Sequence, residues 1–347
     1  MGIRLPRGRP LLLHGGQGAI ALPLPSRFPR TQGLASLRIL GPALISALAL
    51  VGACGDGSDD EKVVLTPVPT SAPFPIVISR DLEVGENRFM LGLINQADEQ
   101  PILGADLNLR FFLLDGSDPV LKSEVEPEAL KITKTYTHTH DDGTVETHEA
   151  GETGGYVSQV TFEAAGEWGV EVTGTDVNGE ALETVTATFN VLAESAGLDA
   201  GDPAPQSVQR VLADVADIAQ IDTSQTPITE MHDKTIAQAV TSGRPTVVVF
   251  ASPSFCTSQI CGPTKDVVDD LYATYGGQAN FVHVEPYDIE KARAGESLTP
   301  VPLLTDDWGL SSEPWVFVVD AQGIIAAKFD GIASYEEMEA ALAAVLG

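Results

Sequence analysis

Two cysteines that lie close together in the chain are the residues best suited to chemistry. Cys256 and Cys261 are five positions apart in "FASPSFCTSQICGPTK", and the 347-residue chain has only three cysteines. In a regular helix, residues five apart are separated by about 7.5 Å along the axis and about 140° of rotation. A disulfide needs Cα atoms within about 7 Å. The segment therefore cannot be helical throughout if the pair closes, and the spacing leaves a working dithiol, a metal site and a structural disulfide open.

The elements around the cysteines predict how they are held. "PTVVVFAS" is an apolar, β-branched run typical of a buried strand, and it leads directly to Cys256. Pro263 favours the first turn of a helix, which predicts a helix start near Gly262 after a loop over residues 257–260. Both sulfurs would then lie at the positive end of the helix dipole, which favours a thiolate. Cys256 follows the strand end, so we expect it to be the attacking thiol and Cys261 to resolve.

The rest of this region continues an α/β pattern. The pattern predicts a short helix in "KTIAQAVTSG", a strand in "NFVHVEPY", a hairpin in "PWVFVVDAQGIIAAKFDG" that turns at 321–323, and a terminal helix in "SYEEMEAALAAVL" with Ser334 as N-cap of a capping box. The order β-α-β, β-hairpin, α over residues 207–347 resembles the thioredoxin-like superfamily. The resemblance implies a cis-proline facing the cysteine pair, and Pro314 in "EPWVFVVD" is the matching position, where it would shape a substrate groove.

The cysteine segment departs from the thioredoxin pattern W-C-G-P-C-K. Phe255-Cys256 can match Trp-Cys, or Cys261-Gly262-Pro263 can match Cys-Gly-Pro, and the two alignments disagree. The preceding strand, 247–250, also lacks the buried acid that thioredoxin uses for proton transfer. A catalytically inactive thioredoxin fold is therefore an alternative to a working dithiol.

The start of the chain has the pattern of an export signal. Fifteen mostly apolar residues, "ILGPALISALALVGA", follow Arg38 and end directly before Cys54. The run is short for a membrane span, which needs about 20 residues. "LVGAC" resembles the lipobox of bacterial lipoproteins, which implies cleavage before Cys54, a lipid on its thiol and attachment to the extracytoplasmic face of a bacterial membrane. An uncleaved anchor helix is the alternative.

Between the signal and the α/β region, alternating apolar and polar runs such as "RFMLGLIN", "GYVSQVTFE" and "TVTATFNVL" predict short strands. This region resembles small immunoglobulin-like domains of exported bacterial proteins, which implies a β-sandwich. The sequence therefore predicts a multidomain chain with an all-β immunoglobulin-like sandwich followed by an α/β thioredoxin-like fold. The predicted segments are a leader and signal peptide (1–53), an acidic, proline-rich tether (54–74), the sandwich (75–192), a linker (193–206) and the thioredoxin-like domain (207–347).

A histidine-rich hairpin, "YTHTHDDGTVETHEA", is the second chemical feature. His138 and His140 are two apart and so share one face of a strand. A two-residue turn would place His148 on the opposite face, whereas a three-residue loop over 141–143 pairs Tyr136 with His148 and adds His148 and Glu146 to the same face. Three imidazoles and a carboxylate could bind Zn²⁺ or Cu²⁺. The alternative is a solvated hairpin.

Two other histidines are weaker candidates for a functional role. His283, inside "NFVHVEPY", is expected to be a core or strand-end residue, and His232 precedes a helix.

The net charge of the chain limits the partners that it can bind. The chain has 49 acidic and 20 basic residues, a formal charge of −29, which argues against nucleic-acid binding. The favoured function is a lipid-anchored thiol–disulfide oxidoreductase that needs no cofactor and acts on exported proteins with thiols or disulfides. The alternatives are a copper- or zinc-handling protein and a non-catalytic surface lipoprotein with a structural disulfide.

Overall fold

The computed structural model describes residues 72–347 apart from 117, 140–144 and 257–259, and of 136–139 and 145–147 it describes the backbone only. These residues belong to one compact unit. No helix within them is both long enough and apolar enough to cross a membrane. Cys54 and the predicted signal peptide lie outside the described residues.

The first part of the described chain, residues 73–191, is built from antiparallel strands, and we call it the β lobe. Its strands are β1 (Pro73–Val77), β2 (Gly85–Asn95), β3 (Asp106–Leu113), β4 (Val120–Val125), β5 (Glu128–Thr139), β6 (Val145–Phe162), β7 (Gly166–Thr175) and β8 (Val185–Val191). They form two four-stranded sheets of order β1-β2-β6-β5 and β4-β3-β7-β8.

Alternating side chains give the two sheets a shared core. In β3, Leu107, Leu109, Phe111 and Leu113 are buried and the residues between them are more exposed, which is the period-two pattern of a strand with one face inward. Phe111 meets Phe89 of the other sheet edge to face, with ring centroids 4.9 Å apart. The predicted strands of this region are therefore present and pack as two layers.

The second part, residues 236–346, alternates helices and strands, and we call it the α/β lobe. Its elements are α1 (Ile236–Val240), β9 (Thr246–Phe250), α2 (Cys261–Tyr275), β10 (Asn280–Val284), α3 (Ile289–Arg293), β11 (Trp315–Val319), β12 (Ile325–Asp330) and α4 (Tyr335–Leu346). Short 3-10 turns at Leu212–Asp214, Ile218–Gln220 and Thr229–His232 precede it, and a π turn spans Leu303–Asp307. The sequence did not predict α3 or these turns.

The sheet of the α/β lobe has the order β10-β9-β11-β12. β9 runs parallel to β10 and antiparallel to β11, and β11 and β12 form an antiparallel hairpin. Every residue of β9, β10 and β11 is buried, which explains why these strands are mostly apolar. The β-α-β, β-hairpin, α order that the sequence predicted for this region is therefore present.

Helices cover both faces of this sheet. Val247 and Val249 of β9 share a core with α2 and α4, whereas Val248 and Phe250 share the opposite core with α1. The predicted capping box begins α4, because Ser334 Oγ accepts from the Glu337 amide and Glu337 accepts from the Ser334 amide. The helices thus hold β9 in place, and the cysteine segment follows the end of this strand.

Polar contacts join the two lobes. Arg88 of β2 forms a bidentate ion pair with Glu337, at 2.8 and 3.0 Å, and also donates to the Ile332 carbonyl at 2.8 Å. Lys328 of β12 binds Asp81 at 3.0 Å and also contacts Asp199. The lobes therefore meet through charged groups along β12 and the start of α4.

The residues between the lobes also contact the α/β sheet. The Gly201 amide donates to the Ile325 carbonyl at 2.8 Å, and the Ile325 amide donates to Asp202 at 2.9 Å. The Ala204 amide donates to the Gly323 carbonyl at 2.9 Å. This segment therefore adds backbone hydrogen bonds at the start of β12.

Candidate functional site

A disulfide joins Cys256 to Cys261, with their Cα atoms 6.0 Å apart, inside the range that disulfides require. β9 ends at Phe250, and the Cys256 amide donates to the Ser252 carbonyl at 3.0 Å, as in a turn. Cys261 is the first residue of α2, one position from the predicted start. The segment is therefore not helical throughout, as the spacing required.

The two cysteines differ in exposure. Cys261 is fully buried at 0% exposure, whereas Cys256 is only partly buried. Ile260 is the N-cap of α2 and gives no side-chain cap, and the first turn has no acidic side chain. The positive end of the helix dipole therefore faces the cysteine pair without a local counter-charge from its own helix.

Pro314 lies at the start of β11, and the Glu313–Pro314 peptide bond is cis, the isomer that the resemblance implied. A carboxylate oxygen of Glu313 and the two cysteine sulfurs all lie within 4.8 Å of one another. The Tyr287 hydroxyl donates to Glu313, and burial together with this hydrogen bond raises the pKa of Tyr287. Glu313, the residue before Pro314, thus places a carboxylate near the cysteine pair, which no residue of β9 does.

A second group of polar side chains is buried where β9 and β10 end. Asp222, His232 and His283 are 1–2% exposed. His232 Nε2 lies 2.8 Å from Asp222 Oδ2, and His283 Nδ1 lies 3.2 Å from the same oxygen. His283 Nε2 lies 2.9 Å from the Ala251 carbonyl oxygen. We call Asp222, His232 and His283 the carboxylate–histidine cluster.

The charges of this cluster depend on one another. Burial alone would raise the pKa of Asp222, but the two histidines outweigh it and hold that pKa below its ordinary value. Burial lowers the pKa of His232, against the hydrogen bond with Asp222. The cluster therefore holds an ionised carboxylate beside an imidazole that burial keeps neutral.

More polar groups surround the cluster. Glu285 Oε1 accepts from the Thr223 amide at 2.7 Å, and burial raises the pKa of Glu285. On the side of α2, Lys265 is 1% exposed and its Nζ lies 2.5 Å from Asp269. Burial raises the pKa of Asp269 more than Lys265 lowers it.

Two sets of side chains at this end of the sheet have ligand atoms close enough together to hold a metal ion. In the carboxylate–histidine cluster, one ligand atom from each residue lies within 4.8 Å of the others, and the same holds for Cys256, Cys261 and Glu313. The second set would bind through sulfur only after the disulfide is reduced, because thiolates are the metal ligands.

The sequence did not identify Glu313 or the carboxylate–histidine cluster. His283 was expected to be a core or strand-end residue, and it is a core residue of β10, but its contact with Asp222 was not predicted. The available signal was an ionisable side chain between two valines in a fully buried strand. Such a residue needs a polar partner, which here comes from residues far away in the sequence.

The histidine hairpin is described through its backbone. Tyr136 pairs with His148, and His138 pairs with Glu146, which is the register of the three-residue loop. His140 lies outside the described residues. Metal binding by His138, His140, His148 and Glu146 stays a prediction.

Comparison with known proteins found similarity among solved structures. No family model matches the chain, and no curated protein matches it. The chain is similar to the crystal structure of a thiol:disulfide interchange protein, a thioredoxin family protein from Chlorobium tepidum TLS. The two share 18% identity over 42% of this chain and 98% of that chain, with a TM-score of 0.24.

Proposed function

We propose that the chain catalyses thiol–disulfide exchange through Cys256 and Cys261. The observation that carries the proposal is the disulfide between a partly exposed Cys256 and a fully buried Cys261, held between the end of β9 and the start of α2. A buried partner that only Cys256 can reach suits a resolving thiol, and an accessible partner suits attack on another protein.

The exchange proceeds in two balanced steps. In the reduced chain, the Cys256 thiolate attacks one sulfur of a substrate disulfide, so that a mixed disulfide forms and the other substrate sulfur leaves as a thiolate and takes up a proton. The Cys261 thiolate then attacks Cys256, which restores the Cys256–Cys261 bond and releases the second substrate thiol. The substrate is reduced by two electrons and the chain is oxidised by two, and the reverse sequence oxidises a substrate dithiol.

Glu313 acts as the proton acceptor for the resolving step. Cys261 is buried, and burial in apolar surroundings disfavours the thiolate that the second step needs. A carboxylate oxygen within 4.8 Å of both sulfurs can take the Cys261 proton through one water molecule, or directly after a small movement. The carboxylate thereby fills the role of the acid that β9 lacks.

We also propose that the chain acts outside the cytoplasm, attached to a bacterial membrane by a lipid on Cys54. "LVGAC" at the end of the apolar run supports this attachment, and an exported location lets the disulfide persist. The β lobe, an immunoglobulin-like sandwich in this proposal, would hold the α/β lobe away from the membrane, and the partners would be exported proteins with thiols or disulfides. Intact-mass analysis of the membrane fraction should find a lipid-modified N-terminal Cys54; an unmodified Cys54 still joined to Ala53 would refute the attachment.

The reduction potential of the Cys256–Cys261 pair tests the exchange function. We expect a value above about −250 mV, because catalytic disulfides are more oxidising than structural ones. A value below about −300 mV would instead support the alternative, a non-catalytic chain with a structural disulfide.

Metal binding at the histidine hairpin is a second proposal. The register that pairs Tyr136 with His148 and His138 with Glu146 supports it. Calorimetric titration of the chain with Cu²⁺ or Zn²⁺ should detect a site that the combined variant His138→Ala, His140→Ala, His148→Ala loses. Metal binding by this variant equal to that of the wild type would refute the proposal.

A further inference from the structure

We propose that the carboxylate–histidine cluster, Asp222, His232 and His283, is a binding site for a divalent first-row transition-metal ion. The site is separate from the disulfide and from the histidine hairpin. Its ligands come from three separate parts of the chain, and they meet at the ends of β9 and β10.

The hydrogen bonding of His283 leaves a lone pair that a cation would satisfy. The Ala251 carbonyl can only accept, so His283 Nε2, 2.9 Å away, carries the hydrogen. In a neutral imidazole, Nδ1 then has a lone pair and no hydrogen. Nδ1 is buried and has no hydrogen-bond partner of acceptable geometry, although Asp222 Oδ2 lies 3.2 Å from it.

Two acceptors that face each other out of contact with water repel, and a buried polar atom without a partner is costly. A positive charge between them removes both costs. That charge is either a proton on His283 Nδ1 or a bound metal ion. The arrangement around His283 favours the metal, because metal-binding histidines almost always donate their other ring N–H to a carbonyl or carboxylate, as His283 donates to Ala251.

The spacing of the ligand atoms is close to that of a coordinated ion. Two ligands about 2.05 Å from a metal in tetrahedral geometry lie about 3.3 Å apart. His283 Nδ1 is 3.2 Å from Asp222 Oδ2, and His232 Nε2 is 2.8 Å from it. The His232–Asp222 contact has to lengthen by about half an ångström for the ion to enter.

The cluster also has room for a non-protein ligand. A cavity of ≈ 520 Å³ is lined by residues that include His232, His283, Glu285 and Tyr287. Glu285 Oε2 is buried and has no hydrogen-bond partner. Three protein ligands with an open position facing a cavity are typical of catalytic rather than structural metal sites, and Glu285 could accept a hydrogen bond from a metal-bound water.

The ligand types select the class of metal. Two imidazoles and one carboxylate suit Zn²⁺, Fe²⁺, Co²⁺ and similar ions, whereas Mg²⁺ and Ca²⁺ prefer oxygen ligands alone. The set contains no thiolate. The site is therefore expected to bind metal equally well whether Cys256 and Cys261 are oxidised or reduced.

The test uses the full chain with its disulfide oxidised, so that neither cysteine can bind the probe, Zn²⁺ alone. The hairpin variant His138→Ala, His140→Ala, His148→Ala serves as the background, because it removes the competing imidazoles. We expect this variant to bind one equivalent of Zn²⁺ in calorimetry. Adding Asp222→Asn, which keeps the size of the side chain, should weaken that binding by at least about 10- to 100-fold.

X-ray absorption spectroscopy at the zinc edge tests the proposal even if Asp222→Asn does not fold. The Zn²⁺-loaded hairpin variant should show two imidazole ligands, oxygen or nitrogen in the remaining positions, and no sulfur. Absence of Zn²⁺ binding by the hairpin variant, or a spectrum without two imidazoles, would overturn the proposal, and a bare proton would then satisfy His283. Neither outcome bears on thiol exchange, which the reduction potential of the cysteine pair tests.

Discussion

Tyr287 donates its hydroxyl hydrogen to Glu313, and the Glu313 carboxylate lies within 4.8 Å of both sulfurs of the Cys256–Cys261 pair. The two residues come from different segments of the α/β lobe, one after β10 and the other directly before β11. This contact holds an ionisable group near the sulfurs.

Glu313→Gln should slow the resolving step at neutral pH by about 10-fold or more, because the amide cannot take a proton from Cys261. The rate should recover only above about pH 8.5, where a free thiol ionises, because burial disfavours the Cys261 thiolate. Stopped-flow measurement of disulfide re-formation from pH 6 to 9 checks this. Glu336→Gln, at an exposed position of α4, is the matched control. An unchanged pH profile, or faster exchange at every pH, would show that Glu313 is not the acceptor.

Cys261→Ser should trap a mixed disulfide between Cys256 and glutathione after treatment with glutathione disulfide. Cys256→Ser should react at least about 10-fold more slowly, because Cys261 is buried. Mass spectrometry of the two variants over time measures both rates. Equal rates would mean that Cys256 is not the attacking thiol.

Arg88→Met should lower the free energy of unfolding by about 1–3 kcal/mol, since it removes charged hydrogen bonds to Glu337 and to the Ile332 carbonyl. Arg110→Met is the control, because Arg110 is 37% exposed and pairs on the surface with Glu171, a contact worth about 1 kcal/mol at most. Urea unfolding gives both values. A smaller loss for Arg88→Met than for Arg110→Met would contradict the role of Arg88 in joining the lobes.

The Arg88 effect should also depend on pH. Burial would raise the pKa of Glu337, but Arg88 outweighs it and the pKa falls below the ordinary value of 4.5. A lowered pKa in the folded chain stabilises the fold fully above pH 4.5, and this contribution is lost as the pH falls through the lowered pKa. The difference between wild type and Arg88→Met should therefore shrink in acid.

Asp330→Asn should raise the free energy of unfolding, relative to wild type, more at pH 7 than at pH 4. Burial raises the pKa of Asp330 from 3.8 to about 6, although the Arg80 amide donates to it. The folded state therefore binds a proton more tightly than the unfolded state, so this carboxyl costs stability as the pH rises from about 4 to 6. The full shift corresponds to about 3 kcal/mol, and partial solvent exposure reduces the expected gain to about 1–2 kcal/mol.

Unfolding free energies of Asp330→Asn and wild type at pH 4 and pH 7 measure this difference. Glu86→Gln, at an exposed position of β2, controls for the loss of one negative charge from an acidic chain. An equal effect of Asp330→Asn at both pH values would contradict the raised pKa.

Hydrophobic periodicity was enough to predict the elements that hold the cysteines. The apolar run 246–250 is a buried strand, and the capping signal at Ser334 begins α4 as expected. These features are local, because each depends on residues within one or two turns or on a single strand. The strand register that pairs Tyr136 with His148 also agrees with the one that the sequence predicted.

The chemistry that the sequence did not predict is non-local. Glu313 follows Cys261 by about fifty residues, and only the order of strands in the sheet brings its carboxylate to the sulfurs. Asp222, His232 and His283 likewise meet because a 3-10 turn and the end of β10 pack together. Neither contact leaves a repeating pattern in the sequence. The sequence therefore showed only that a polar residue, His283, lies between apolar residues of a predicted strand.

The contacts along β12 have a consequence for how separate molecules behave. β12 is the outer strand of its sheet, and an outer strand with free backbone groups can pair with the same strand of another molecule. Gly201 and Asp202 bond to Ile325 at one end of β12, and the Arg80 amide binds Asp330 at the other. The chain thus shields this edge with its own residues, and changes that detach them are expected to promote aggregation before they impair the fold.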